Sequence, residues 1–145
     1  QTGRTANQLA TLSAVGVFAT PLAAPSALPS LPTYAGTESL EARARSYLHS
    51  NCSNCHRPGS TGRGNSDLRF TTPFAMANLC DAAPDSALGV TNARVVAPGA
   101  PDRSVLALRM MDPGANRMPP LATRVTDPLG VALVTDWIRA LTRCP

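Results

Sequence analysis

Asn51-Cys52-Ser53-Asn54-Cys55-His56 carries two thiols three residues apart and an imidazole directly after the second. This Cys-X-X-Cys-His spacing is that of c-type haem attachment. Each thiol can bond one vinyl-derived carbon of a single porphyrin, and the adjacent histidine is then held under the iron as its proximal ligand. A zinc site needs two further ligands of comparable geometry, yet the remaining cysteines, Cys80 and Cys144, are isolated in sequence and the second histidine is His49. A thioredoxin-like dithiol requires a preceding strand, whereas the residues before Cys52 read as helix. One haem c, covalently bound through Cys52 and Cys55 with His56 on iron, is therefore expected.

Working outward, the helix before the motif opens at Thr37, with Glu38 and Glu41 in its first turn and an apolar stripe of Leu40, Ala44, Tyr47 and Leu48. A loop containing Gly59, Gly62 and Gly64 follows the motif. Thr72-Pro73 reads as an N-cap and first-turn proline opening a short helix over Phe74 to Leu79. Residues 81–101 read as loop, with a brief extended piece near Arg94 to Ala97. A short helix starting around Asp102 to Ser104 carries Val105, Leu106, Leu108 and Met110, and Asp112-Pro113-Gly114 stops it. The last helix has Asp127 as N-cap and Pro128 at its first position, with Leu133, Val134, Trp137, Ile138 and Leu141 on one face.

Residues 1–33 differ in character. An apolar stretch, Leu9 to Ala19, passes into Pro21, Pro25, Pro29 and Pro32, which forbid a continuing helix and suggest an extended strap. Two readings stand: a linker from an upstream domain, or a strap packed on the domain formed by residues 34–145. The first residue is Gln1 rather than Met, and Arg4 is the one basic flank of the apolar stretch, so the chain reads as a mature or excised fragment.

Composition narrows the function classes. All thirteen basic residues are arginine, which excludes Schiff-base or general-base lysine chemistry. The formal charge of +4 is spread from Arg4 to Arg143, a poor footprint for nucleic acid. No run of eighteen apolar residues is present, so no membrane span is expected. Six aromatics in 145 residues leave the core short of large apolar bodies, a deficit that a porphyrin would fill.

The sixth iron ligand has four candidates. Met76, Met110 and Met111 read as core filling. Met118 sits in Asn116-Arg117-Met118-Pro119-Pro120, where two prolines stiffen the backbone just after the sulfur, and is expected on iron opposite His56. His49, near the end of the first helix, reads as a helix-end histidine interacting with terminal carbonyls, the other reading being an alternative axial ligand.

The order of helix, Cys-X-X-Cys-His, glycine-containing loop, Pro98 to Leu106, Met118-Pro119-Pro120 and a final helix with Trp137-Ile138 resembles a class I type cytochrome c domain over residues 37–144. The chain looks most like haem domains at the C-terminal end of larger bacterial extracytoplasmic proteins, some quinoprotein sugar dehydrogenases among them. The Gly3-Arg4-Thr5 to Leu12 stretch resembles the connector that precedes such domains. The resemblance implies an all-α fold with long loops, first and last helices crossed, and the haem at the centre of the core. Ala44, Tyr47 and Leu48 would then meet Val134, Trp137 and Ile138. It also implies a backbone carbonyl in Asn65-Ser66-Asp67-Leu68 accepting the His56 ring N–H, although the family's proline is missing there. Arg57, Arg63, Arg69 and Arg117 are candidates to pair with the haem propionates. A periplasmic or otherwise extracytoplasmic location permits disulfides, so Cys80 and Cys144 are either bridged or two free thiols, the bridge being favoured.

The function implied is electron transfer by a low-spin haem c with His56 and Met118 as axial ligands, accepting electrons from a dehydrogenase partner or upstream domain, with no catalytic residue in this chain. The rival is a haem-dependent enzyme part, reactive toward peroxide or gas, in which Met118 is labile. A third reading is a structural zinc module.

Overall fold

Ser39 starts the helix that delivers the Cys-X-X-Cys-His segment, its hydroxyl accepting the Ala42 N–H at 3.1 Å. That satisfies one of the N–H groups a helix start leaves open, worth about 1 kcal/mol. The helix thus begins two residues later than Thr37 suggested, and Glu38 lies ahead of the cap. This computed structural model describes residues 5–121 and 124–145, which contain four α-helices: α1 (Gln8–Ala14), α2 (Leu40–Cys52), α3 (Val105–Met111) and α4 (Pro128–Ala140). Single 3-10 turns occur at Pro25–Ala27, Phe74–Met76 and Pro101–Arg103, and two isolated parallel bridges join Cys80 to Val96 and Arg94 to Ser104.

The expected all-α class is corrected by this inventory. The helices are short and most of the chain between them is turn and loop. Between α2 and α3 the chain is held by cross-loop bonds rather than helical ladders: Val96 N–H donates to Leu79 O, Asp81 N–H to Val96 O, and Val95 N–H to Ala82 O. Asn78, Asp81, Leu88 and Asn92 take positive φ, which breaks any helical continuation there. The helix expected over Phe74 to Leu79 shrinks to one turn, and Thr72 does not cap it; its hydroxyl donates to Asp67 Oδ2 at 2.8 Å instead.

Two units are distinguished, Gln1–Leu31 and Pro32–Pro145. In the first, Asn7 caps α1 through the Ala10 N–H, so a helix forms where only an apolar stretch before a strap was expected; none of its residues is buried. Gly3 and Arg4 of the connector-like stretch lie outside the described residues.

In the second unit α2 and α4 pack on each other. Asp127 Oδ1 accepts the Leu129 and Gly130 N–H groups at 3.1 Å each, and Pro128 occupies the first position, so α4 starts as its sequence dictates. Its buried face is Gly130, Leu133, Val134, Trp137 and Ile138, sharing one core with Ala44 and Leu48 of α2 and with Leu68, Phe74, Leu79 and Val96 from the loops. Trp137 is 2 % exposed and meets Phe74 with ring centroids 5.1 Å apart. The helix expected to meet the last one, the helix of Leu40 to Leu48, is α2, and it does pack on α4; the largest fully buried side chains there include Trp137, Leu48, Val134 and Ile138.

Gly99 ties the loop before α3 to the end of α4. Its φ of 72° is left-handed, and its N–H donates to Ile138 O at 3.0 Å, one of the carbonyls a helix end leaves open. Ser104, fully buried, accepts the Ala97 N–H and donates to Ala100 O, which closes the 97–104 turn. The first amides of α3 are met by Arg94 O and Val95 O, so this helix needs no side-chain cap.

Candidate functional site

Cys52 is the last residue of α2, and the chain continues with one more helix-like turn: the Cys55 and His56 N–H groups both donate to Cys52 O, at 3.1 and 2.9 Å. That turn brings Cys52, Cys55 and His56 together. Both thiols are free, Cys52 half-buried against the core and Cys55 exposed. Burial, with a smaller contribution from Cys55, pushes the Cys52 thiol up to about 11, so it stays protonated at neutral pH and is a poor partner for internal disulfide formation. Cys80 and Cys144 are joined instead, with a 5.6 Å Cα separation.

The loop after the motif folds back on it. Gly62 N–H donates to Cys55 O at 2.8 Å, and Ser60 Oγ donates to Asn54 O. A Cβ at position 62 would lie 2.2 Å from Cys55 O and 3.1 Å from His56 Nδ1, so only glycine allows the chain to lie this close to the ring. The imidazole makes no hydrogen bond among the described residues. Burial lowers the His56 pKa, and the Arg109 guanidinium lowers it further, keeping the ring in the neutral form that a metal ligand requires. The 65–68 stretch does reach His56, but with a donor: Leu68 N–H binds His56 O at 2.9 Å.

Met118 is half-buried in the loop after α3, and the peptide to Pro119 is cis. Its N–H donates to Arg109 O at 2.9 Å, and Arg109 Nη1 donates to Asn116 O at 3.0 Å. Arg109 thus touches the Met118 loop and acts on His56. Sequence reasoning passed over it; the one signal was a lone cation in the apolar run Val105 to Met111. Of the other methionines Met110 joins the core, but Met76 is 74 % exposed and Met111 40 % exposed, which corrects their reading as core filling.

His49 has a structural task. Its Nδ1 accepts the Phe70 N–H at 3.2 Å, so it anchors the 67–72 loop on α2 rather than meeting terminal carbonyls. Arg45 assists, with Nη2 donating to Phe70 O and Thr72 O and its guanidinium 5.9 Å over the Phe70 ring. Among the candidate propionate partners, Arg69 is engaged with Asp67 at 2.6 Å, Arg57 and Arg63 are exposed, and Arg117 binds two carbonyls while its Nε is buried without a partner among the described residues.

The residues fit a covalently attached porphyrin. Two unbonded thiols stand beside a neutral imidazole, with one ring edge covered by bare backbone at Gly62. A zinc site fits less well, since no group of three or more His, Cys, Asp or Glu side chains among the described residues is placed to hold a metal. A cavity of about 490 Å³ lies along a different face of α4, lined by Met111, Val131, Ala132, Thr135, Asp136 and Arg139 among others, and takes in none of Cys52, Cys55, His56 and Met118. No helix among the described residues is long and apolar enough to cross a membrane. Comparison with family models, with curated proteins and with solved structures finds no match in any of the three.

Proposed function

We propose that this chain carries one haem c, attached by thioethers from Cys52 and Cys55, with His56 and Met118 as axial ligands, and that it transfers electrons to or from a redox partner protein or an upstream dehydrogenase domain. The observation that carries the reading is the state of the four cysteines. The pair spaced for a porphyrin is free beside a neutral histidine, while the other two close a disulfide. That disulfide also supports an extracytoplasmic location, where such bridges persist, and the resemblance to cytochrome c domains adds a bacterial source.

Bound haem c supplies a one-electron couple between ferrous and ferric iron. The chain's own contributions follow from its residues. Cys52 and Cys55 fix the group next to the end of α2. His56 offers a neutral ring whose Nδ1 edge is backed by Gly62, leaving Nε2 for the metal. Met118 supplies a thioether, a ligand that favours the reduced ion and raises the potential. With both axial positions taken, no position is open for oxygen or peroxide, which is why catalysis is not assigned to this chain.

The test is production in a host competent for haem attachment, followed by absorption spectroscopy of the reduced protein with and without carbon monoxide. The expected result is a thioether-linked haem spectrum that carbon monoxide changes little, and immediate carbon monoxide binding in Met118→Ala. A colourless product would sink the attachment site. A spectrum unaltered by Met118→Ala would remove Met118 from iron, and immediate binding by the unsubstituted protein would favour a gas- or peroxide-reactive role.

A further inference from the structure

We propose that Arg117, aided by Arg109, is the positioning residue that holds Met118 in place as a ligand; this rests on the ligation proposed above. Met118 ends a loop that leaves α3 and turns sharply at Gly114. Arg117 spans that loop from within: Nη1 donates to Gly114 O at 2.9 Å on one side of the methionine, and Nη2 reaches Pro120 O at 3.4 Å on the other. Arg109 holds the same loop from the helix, its carbonyl accepting the Met118 N–H at 2.9 Å and its Nη1 donating to Asn116 O at 3.0 Å. Asp112 completes the frame, accepting the Gly114 and Asn116 N–H groups.

The chemistry explains why arginine stands at both places. A planar guanidinium presents donors in a fixed fork and can bind two carbonyls at once, which a lysine ammonium on a flexible stem does less rigidly. Neither Arg109 nor Arg117 pairs with a carboxylate among the described residues, and the bonds their guanidinium groups make go to backbone carbonyls. A thioether is a weak ligand, and its hold on a metal depends on how little freedom its loop has when it dissociates. The arginine frame supplies that restriction.

The experiment compares Arg117→Gln, Arg117→Lys, Arg109→Gln and Met118→Ala with the unsubstituted haem-loaded protein. Exposed Arg103→Gln serves as the control. Three quantities are read: carbon monoxide binding by the ferrous form, the charge-transfer band of thioether sulfur on ferric iron, and the reduction potential. Arg117→Gln should bind carbon monoxide about tenfold faster than the unsubstituted protein, the effect of one lost charged hydrogen bond. Arg117→Lys, which keeps the charge and loses the fork, should follow Arg117→Gln. Arg109→Gln, which loses the bond to Asn116 O, should shift carbon monoxide binding in the same direction while Arg103→Gln leaves it unchanged, and Met118→Ala should lower the reduction potential.

If both Arg117 variants match the unsubstituted protein while Met118→Ala does not, the positioning role is overturned and the ligation stands. If Met118→Ala itself changes nothing, ligation fails and this inference fails with it. Loss of helical circular dichroism in both Arg117 variants would assign the residue to folding in general and also overturn the proposal.

Discussion

Asp67 is a buried carboxylate, 6 % exposed, in a chain whose acids are otherwise at the surface or in caps. Its oxygens accept from the Arg69 backbone and guanidinium and from the Thr72 hydroxyl, so one side chain closes the 67–72 turn. These donors, Arg69 first, hold the Asp67 carboxyl well below the usual carboxylate range, against the opposing effect of desolvation. The unfolded chain therefore takes up the proton first, and the stabilisation is fully present above about pH 4 and lost as pH falls further toward the folded-state value. Asp67→Asn should lower stability at pH 7 by about 1 kcal/mol, the ion pair's share being screened because the Arg69 side chain is 42 % exposed. Urea unfolding at pH 7 and pH 3 checks this; a gap between the two proteins that fails to narrow at pH 3 would show that the carboxylate charge is not the cause. The turn matters for the site because its neighbour Leu68 donates to His56 O, and His49 grips its far end at Phe70. Little of this was legible beforehand. The resemblance implied that residues 65–68 lie near His56, but which group would reach it depends on a turn closed by contacts two and five residues apart and anchored to α2 twenty-one residues away.

At the scale of elements, the contact between α2 and α4 is set by a glycine and a tyrosine. A Cβ at Gly130 would stand 2.2 Å from Tyr47 Cζ, so the ring lies directly on the α4 backbone, and Tyr47 Oη donates to Asp127 Oδ2 at 3.0 Å. Burial first, and then Asp127, raise the tyrosine pKa, keeping it a donor to the very carboxylate that caps α4. Gly130→Ala gains about 1 kcal/mol of helix propensity but displaces the ring and its hydrogen bond, for which overpacking costs about 1–3 kcal/mol. A net loss of stability is expected, visible as a lower thermal midpoint. In a Tyr47→Ala background the same substitution should turn neutral or stabilising, since the obstruction is gone. Equal losses in both backgrounds would refute the packing explanation. The helices themselves were legible: Asp127-Pro128 gave the start of α4, the periodic faces gave the residues each helix buries, and the resemblance implied the pairing of Ala44 and Leu48 with Val134, Trp137 and Ile138. Glycine 130 was not, because a close approach leaves no mark in a helical pattern beyond a residue of poor propensity. The Phe74 to Leu79 helix failed for a related reason. Thr72 had a better acceptor in Asp67 than an N-cap role offered, and Asn78 turned left-handed.

For the whole molecule, the question is what holds a chain this rich in loop. Its fully buried side chains come from α2, α4 and the loops alike, and the long connection between α2 and α3 has no helical ladder to carry it. The large apolar bodies that the chain itself places in the core are one tryptophan on one phenylalanine, with a set of aliphatics around them. The Cys80–Cys144 disulfide then spans 64 residues, fastening the end of the chain, just past α4, to the loop segment that pairs with Val96. Closing a loop of that length removes unfolded-state entropy worth about 4 kcal/mol on the chain-entropy account. For a domain whose total stability falls within about 5–15 kcal/mol, that share is large. Cys80→Ser combined with Cys144→Ser should therefore lower the unfolding free energy by an amount approaching that figure, and reduction of the unsubstituted protein should give the same loss. Denaturant titration with and without reductant measures both. A double-serine variant as stable as the oxidised protein would mean that the loops hold α4 by their cross-loop bonds and by the Gly99 to Ile138 contact alone.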